Sequence, residues 1–122
     1  TVVICDGEVL GKPVDEADAI RMLKMLSGKT HHVVTGVTLG RGCRYSSFSV
    51  DTAVTFRELS DQEIKAYVKS GEPMDKAGAY GIQGLGALLV EKIDGDFYNV
   101  VGLPVSRLAE ELHDFLKKVQ SK

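Results

Sequence analysis

A chain of 122 residues, 43% of them hydrophobic and 26% charged, has the size and balance of a single domain spanning residues 1–122, one that folds without metal or disulfide staples. No apolar run approaches the roughly 20 residues that a membrane helix requires, and a net charge of −2 argues against the broad basic surface by which proteins grip nucleic acid. Neither a membrane nor a nucleic acid is therefore expected as a partner, while a small anionic ligand, which needs only a few local donors, stays open.

Thr1-Val2-Val3-Ile4-Cys5 starts in the middle of a strand pattern and without methionine, and it reads as the beginning of an excised or incomplete chain. The β-branched run ends at the turn pair Asp6-Gly7 and continues through Glu8-Val9-Leu10, which predicts a strand and a hairpin-like return. Asp15 is placed to cap a helix over about residues 16–27, with Ala19, Met22, Leu23, Met25 and Leu26 at helical spacing and Gly28 as its stop. Thr30 to Leu39 is β-rich and closes at Gly40-Arg41-Gly42, predicting a hairpin. In its return strand Val50, Thr52, Val54 and Phe56 alternate with more polar neighbours.

Ser60-Asp61-Gln62-Glu63 has the capping-box spacing and predicts a helix over about residues 61–70, with Ile64, Tyr67 and Val68 facing inward. Ser70 to Gly84 holds four glycines beside Glu72, Asp75, Lys76 and Gln83. Such a stretch is either a long solvated loop or one that folds closely against a ligand and offers it polar groups. Ala87-Leu88-Leu89-Val90 reads as a buried strand, turned at Asp94-Gly95-Asp96 into a second segment from Phe97 to Val101. Pro104 opens a final helix on which Val105, Leu108, Ala109, Leu112, Phe115, Leu116 and Val119 form one apolar stripe. Interspersed strands and helices predict an α/β fold, a mixed sheet flanked by helices.

Few residues carry obvious chemistry. Cys5 and Cys43 have the spacing of neither a zinc site nor a redox pair and read as reduced thiols of a cytoplasmic protein, one in the core and one in a turn. His31 and His32, adjacent on a strand, point to opposite faces and cannot chelate one ion together. Lys12, on the stiff Gly-Lys-Pro turn, is either a solvated lysine or a cation held toward a phosphate or carboxylate, and Lys76 would supply a second. Neither a Walker A sequence nor a dinucleotide fingerprint is present. Asp75, with Glu72 next, is the carboxylate best placed for magnesium, which binds through a few oxygens and substrate phosphates.

Leu10-Gly11-Lys12-Pro13, Leu26-Ser27-Gly28, Thr35-Gly36-Val37, Phe56-Arg57-Glu58-Leu59-Ser60, Ser70-Gly71-Glu72-Pro73, the run Asp75 to Gly84 and Asn99-Val100-Val101-Gly102-Leu103-Pro104 occur in that order. Together they resemble the Maf, or septum-formation-inhibitor, family of nucleoside triphosphate pyrophosphatases over nearly the whole chain. The resemblance implies a fold similar to that of inosine triphosphate pyrophosphatases, and hydrolysis between the α- and β-phosphates to a monophosphate and pyrophosphate. It also implies a divalent cation, magnesium or alternatively manganese, and a homodimer. Lys12 then matches a phosphate-side lysine, and Asp75 and Lys76 stand with it at the nucleotide.

Thr1 and Gln83 match the threonine of an Ala-Asp-Thr segment and the glutamine of a Gly-Ile-Gln-Gly segment in the branch acting on dTTP and UTP. The branch resembling 7-methyl-GTP pyrophosphatases has glutamate in place of Gln83. A neutral amide offers a pyrimidine edge both a donor and an acceptor, which a carboxylate does not. The proton-accepting aspartate of Ala-Asp-Thr would lie one residue before Thr1, and a Ser-x-Ser-Pro-Arg-Arg phosphate segment earlier still. The 122 residues alone are therefore expected to be inactive or nearly so, with catalysis belonging to a longer protein. A non-catalytic nucleotide-binding module connected with septum formation or cell division is the alternative, and a modified pyrimidine nucleotide the variant substrate.

Overall fold

A computed structural model describes residues 1–120; Ser121 and Lys122, at the end of the expected domain, lie outside the described residues. Strands β1 (Val2–Cys5), β2 (Glu8–Leu10), β3 (Thr30–Arg41), β4 (Arg44–Phe56) and β5 (Val90–Asp94) form one sheet in the order β2-β1-β3-β4-β5. All four pairings are antiparallel. Helices α1 (Glu16–Leu26), α2 (Asp61–Lys69), α3 (Phe97–Val101) and α4 (Val105–Gln120) flank it, and three 3-10 turns, Glu72–Asp75, Ala77–Ala79 and Gly84–Leu89, connect α2 to β5.

Period-2 patterning places the core on one face of the sheet. Val3 and Cys5 of β1, His31, Val33 and Thr35 of β3, and Thr52, Val54 and Phe56 of β4 are buried there, while their neighbours in sequence are half-buried or exposed. Ala19, Met22, Leu23 and Leu26 of α1 and Ile64, Tyr67 and Val68 of α2 pack into the same cluster. Both helix starts follow from their caps. Asp15 accepts from the Asp18 amide at 2.7 Å, and Ser60 and Glu63 make the reciprocal capping box. The Asp6-Gly7 turn has both residues at positive φ, 51° and 78°, the geometry whose twist matches a two-residue hairpin.

Two expectations fail between residues 84 and 101. The run Ala87 to Val90 is not a buried strand: Gly84–Leu89 is a 3-10 turn, Leu88 is 68% exposed, and the strand starts only at Val90. In a 3-10 turn side chains three apart share a face, so Gly86 and Leu89 go inward together and Leu88 is turned out. Phe97 to Val101 is likewise a helix rather than an extended return. Asp96 caps it by accepting from the amides of Tyr98 at 2.8 Å and Asn99 at 3.3 Å, and the cap overrides the β-preference of the aromatic and β-branched residues behind it. Of the α4 stripe, Phe115 is buried, but Val105, Leu112 and Leu116 remain exposed.

Cys5 is a buried thiol and Cys43 an exposed one in the β3–β4 turn, both unpaired. His31 is fully buried and His32 points the other way, to Asp51 at 2.8 Å. No helix among the described residues is long and apolar enough to cross a membrane.

Candidate functional site

A cavity of about 570 Å³ opens between the end of β1, the Gly11-Lys12-Pro13 turn, the 70–84 segment and the end of α3. Thr1, Lys12, Asp75, Lys76 and Gln83, which come from three separate stretches of sequence, all line it. The structure thus brings together the five residues that the family resemblance placed at the nucleotide, while Cys5, Cys43, His31 and His32 do not line the cavity.

Each wall has a local cause. The Gly78 amide donates to the Gly11 carbonyl at 3.0 Å, which ties the glycine-rich segment to the turn carrying Lys12. Gly78 has φ 73°, and a Cβ there would lie 2.9–3.0 Å from the Val3 side chain, so only glycine lets the segment lie against β1. Across the cavity the Thr1 hydroxyl meets the Thr35 hydroxyl at 2.9 Å and lies 3.4 Å from the Gly102 carbonyl. The rim at Val100, Val101 and Gly102 is held from behind by Asn99, whose buried amide nitrogen reaches the Val33 carbonyl, the Val50 carbonyl and the Thr52 hydroxyl, each at 3.0 Å.

The floor is aromatic. Tyr80 lines the cavity, packs edge-on against His31 and Phe56, and its hydroxyl is 2.7 Å from His31 Nε2. Burial holds the His31 imidazole down at about 4, with the neighbouring His32 adding to the effect, and pushes the Tyr80 phenol up. The ring is therefore neutral at pH 7, and one hydrogen bond joins its Nε2 to the Tyr80 hydroxyl.

Two cations and two carboxylates face the cavity. Lys76 lies 3.2 Å from Asp75, with both side chains well exposed. Exposed Lys12 has no acid partner among the described residues, which leaves its ammonium open to a ligand anion. Glu72 is engaged differently from what the sequence led us to expect. Its Oε1 accepts from the Tyr67 hydroxyl at 2.7 Å and the Gly86 amide at 2.9 Å, and its Oε2 accepts from the Leu85 amide at 3.1 Å. Burial works to raise its pKa, but the donated hydrogen bonds and the Lys76 charge outweigh it, and the carboxyl is held below its ordinary value.

With the oxygens of Glu72 committed, Asp75, of which one oxygen meets Lys76, is the cavity carboxylate with an oxygen left for a cation. Among the described residues no three His, Cys, Asp or Glu side chains come together as a cage. One carboxylate fits an ion such as magnesium, which keeps waters and takes its other oxygens from substrate phosphates.

The sequence profile of the Maf-like proteins matches residues 1–115. The chain belongs to this family. Among similar proteins, a dTTP/UTP pyrophosphatase of Bacillus velezensis is 55% identical over 115 residues, covering 94% of this chain and 61% of the relative. A protein of the same name from Syntrophomonas wolfei is 57% identical over 111 residues, covering 88% of this chain and 58% of the relative. A third, from Bacillus pumilus, is 53% identical over 115 residues. The Maf-like chain described here thus spans about three-fifths of the length of the relatives it matches.

Sequence reasoning missed the Tyr67–Glu72 pair and the His31–Tyr80 pair. The first lies only five residues apart, but it needs the end of α2 and the first 3-10 turn to bring the groups together. The second joins residues 49 apart, and no local pattern announces it. The anchoring role of Asn99 was missed as well, and its one signal was a polar residue within the otherwise apolar Phe97–Val101 run.

Proposed function

We propose that the whole protein hydrolyses dTTP and UTP to the monophosphate and pyrophosphate, and that this chain supplies contacts to the base and to the phosphates. The observation that carries the reading is the convergence of Thr1, Lys12 and the 70–84 segment, which brings Asp75, Lys76 and Gln83, on one cavity of about 570 Å³, a volume suited to a small ligand. The names of the relatives, dTTP/UTP pyrophosphatases, support the same reading and give nothing in favour of a non-catalytic module of septum formation.

In this arrangement Lys12 and Lys76 neutralise charge on the phosphate chain, and it is worth most where charge grows as the bond to the leaving pyrophosphate breaks. Gln83, exposed at the apex of its loop, presents an amide that can both donate to and accept from a pyrimidine edge. Asp75 would hold a divalent cation, magnesium or manganese, which when bound supplies further charge neutralisation at the phosphates. A residue joined to the nitrogen of Thr1 would stand at the same rim, where the family pattern puts the proton-accepting aspartate that activates water. The reading carries with it a cytoplasmic location and a homodimer, both resting on the family pattern.

Pyrophosphate release by the full-length protein, assayed across nucleotides, tests it. Turnover is expected to be highest with dTTP and UTP, and Lys12→Ala to raise KM with little change in stability, since the side chain is exposed. Gln83→Glu should erode the pyrimidine preference. No turnover of any triphosphate with magnesium or manganese would refute the proposal.

A further inference from the structure

Gln83 sits in a segment that ought to be slack, because Gly81, Gly84 and Gly86 surround it and glycine carries the largest conformational freedom of any residue. A slack loop would present the amide at no fixed depth. The structure instead closes the segment on itself from both sides of Gln83. The Gly81 amide donates to the Tyr67 hydroxyl at 3.0 Å, and that hydroxyl donates to Glu72 Oε1 at 2.7 Å. The same carboxylate takes the Leu85 and Gly86 amides on the far side of the apex, at 3.1 and 2.9 Å. One carboxylate and one phenol thus staple residues 81, 85 and 86, with Gln83 between them.

The packing shows how tight the closure is. A Cβ on Gly86 would fall 1.8 Å from the Gly81 carbonyl oxygen, so the two ends of the loop touch backbone to backbone. Ile82, next to Gln83, is buried and anchors the inward side, while Gln83 is exposed. Lys76 belongs to the same assembly: its Cε passes within 3.2 Å of where a Gly81 Cβ would be, and its charge helps to keep Glu72 ionised.

We propose that Tyr67 and Glu72 are positioning residues that set base selectivity by fixing the depth at which Gln83 meets the base. The proposal rests on the nucleotide reading above and deepens it. A glutamine amide alone does not distinguish uracil from hypoxanthine, because both offer the same pair of groups, a carbonyl acceptor beside an N–H donor. They differ in how far that edge stands from the sugar, since a purine is the longer base. A stapled apex accepts the edge at the pyrimidine depth and blocks the longer base; a loop freed from its staple recedes and admits both.

The test compares full-length wild-type protein with Tyr67→Phe and Glu72→Gln, each of which keeps the side-chain shape and removes part of the staple. kcat/KM is measured for UTP and for ITP. The preference for UTP over ITP is expected to fall about tenfold in each variant, the scale on which pocket shape discriminates, and to do so through KM with kcat for UTP largely kept. Amide hydrogen exchange at Gly81, Leu85 and Gly86 should accelerate in parallel. A merely structural role would lower the melting temperature and leave the UTP-to-ITP ratio unmoved. An unchanged ratio in the two variants, or in whichever of them folds, overturns the proposal. If the wild-type protein turns over neither triphosphate, the hydrolase reading fails on its own. The staple is then judged by binding of UMP against IMP, where an unaltered preference in the variants again overturns it.

Discussion

Between Ser70 and Gly84 the chain carries four glycines and three charged residues, yet Gly78, Ala79, Tyr80, Gly81 and Ile82 are all buried. The final helix α4 carries seven apolar residues on one stripe, yet Val105 is 49%, Leu112 41% and Leu116 36% exposed. The difference lies in what each segment does with its backbone and its neighbours. A buried irregular segment survives only if its amides find acceptors, and Gly11, Tyr67 and Glu72 provide them to Gly78, Gly81, Leu85 and Gly86. A helix satisfies its own backbone, so it can stand against β3 and β4 with much of its apolar stripe uncovered.

The sharpest way to break this comparison is a single methyl group. Gly86→Ala would set a Cβ 1.8 Å from the Gly81 carbonyl, backbone against backbone, with the Tyr67 hydroxyl 2.8 Å away and no flexible side chain able to yield. Denaturant unfolding should show a loss of about 3 kcal/mol or failure to fold, the upper range for overpacking. An alanine there that left stability intact would mean that the loop is far looser than described.

An effect graded over pH, rather than set by one added methyl group, probes the floor beneath the loop. His31, buried under Tyr80, is held at about 4, against an ordinary value of 6.5 that it regains on unfolding. The unfolded chain therefore takes up a proton near pH 6.5, whereas the folded chain does not until about pH 4. Stability from this group is complete above pH 6.5 and falls by about 1.4 kcal/mol per pH unit through the window down to the folded value. Denaturation followed across that window should show the slope in wild-type protein and a flatter one in His31→Phe; equal slopes would remove His31 as the cause.

The smallest effect belongs to the helix. Leu112→Gln replaces an exposed apolar residue of α4 with a good helix former, and in this chain the change in unfolding free energy should stay within about 0.5 kcal/mol. A loss several times larger would mean that the stripe is covered in solution.

These contrasts also explain how far the amino-acid sequence could be read. The Ser60–Glu63 capping box, the Asp15 cap and the alternation from Val50 to Phe56 were legible because each is a local pattern with one structural outcome. Residues 87–90 misled because an apolar run does not state its period, and only the packing of Gly86 against Gly81 turns it into a 3-10 turn. Phe97 to Val101 misled because Asp94-Gly95-Asp96 reads as a hairpin turn, whereas Asp96 serves as a helix cap. Lys12, Asp75, Lys76 and Gln83 could be picked out by residue type and by family pattern, but their convergence could not, since it depends on Gly78 lying against Val3 and donating to Gly11. Glu72 was seen as a carboxylate for a metal because sequence reveals a charge and not the three donors already bonded to it.

A crystal structure of the full-length protein with magnesium and a UTP analogue carrying nitrogen in place of the α,β-bridging oxygen tests the central claim most directly. The uracil edge is expected within hydrogen-bonding distance of Gln83, with the phosphate chain between Lys12 and Lys76. A nucleotide bound outside this cavity, or bound inside it with the base turned away from Gln83, would contradict the account.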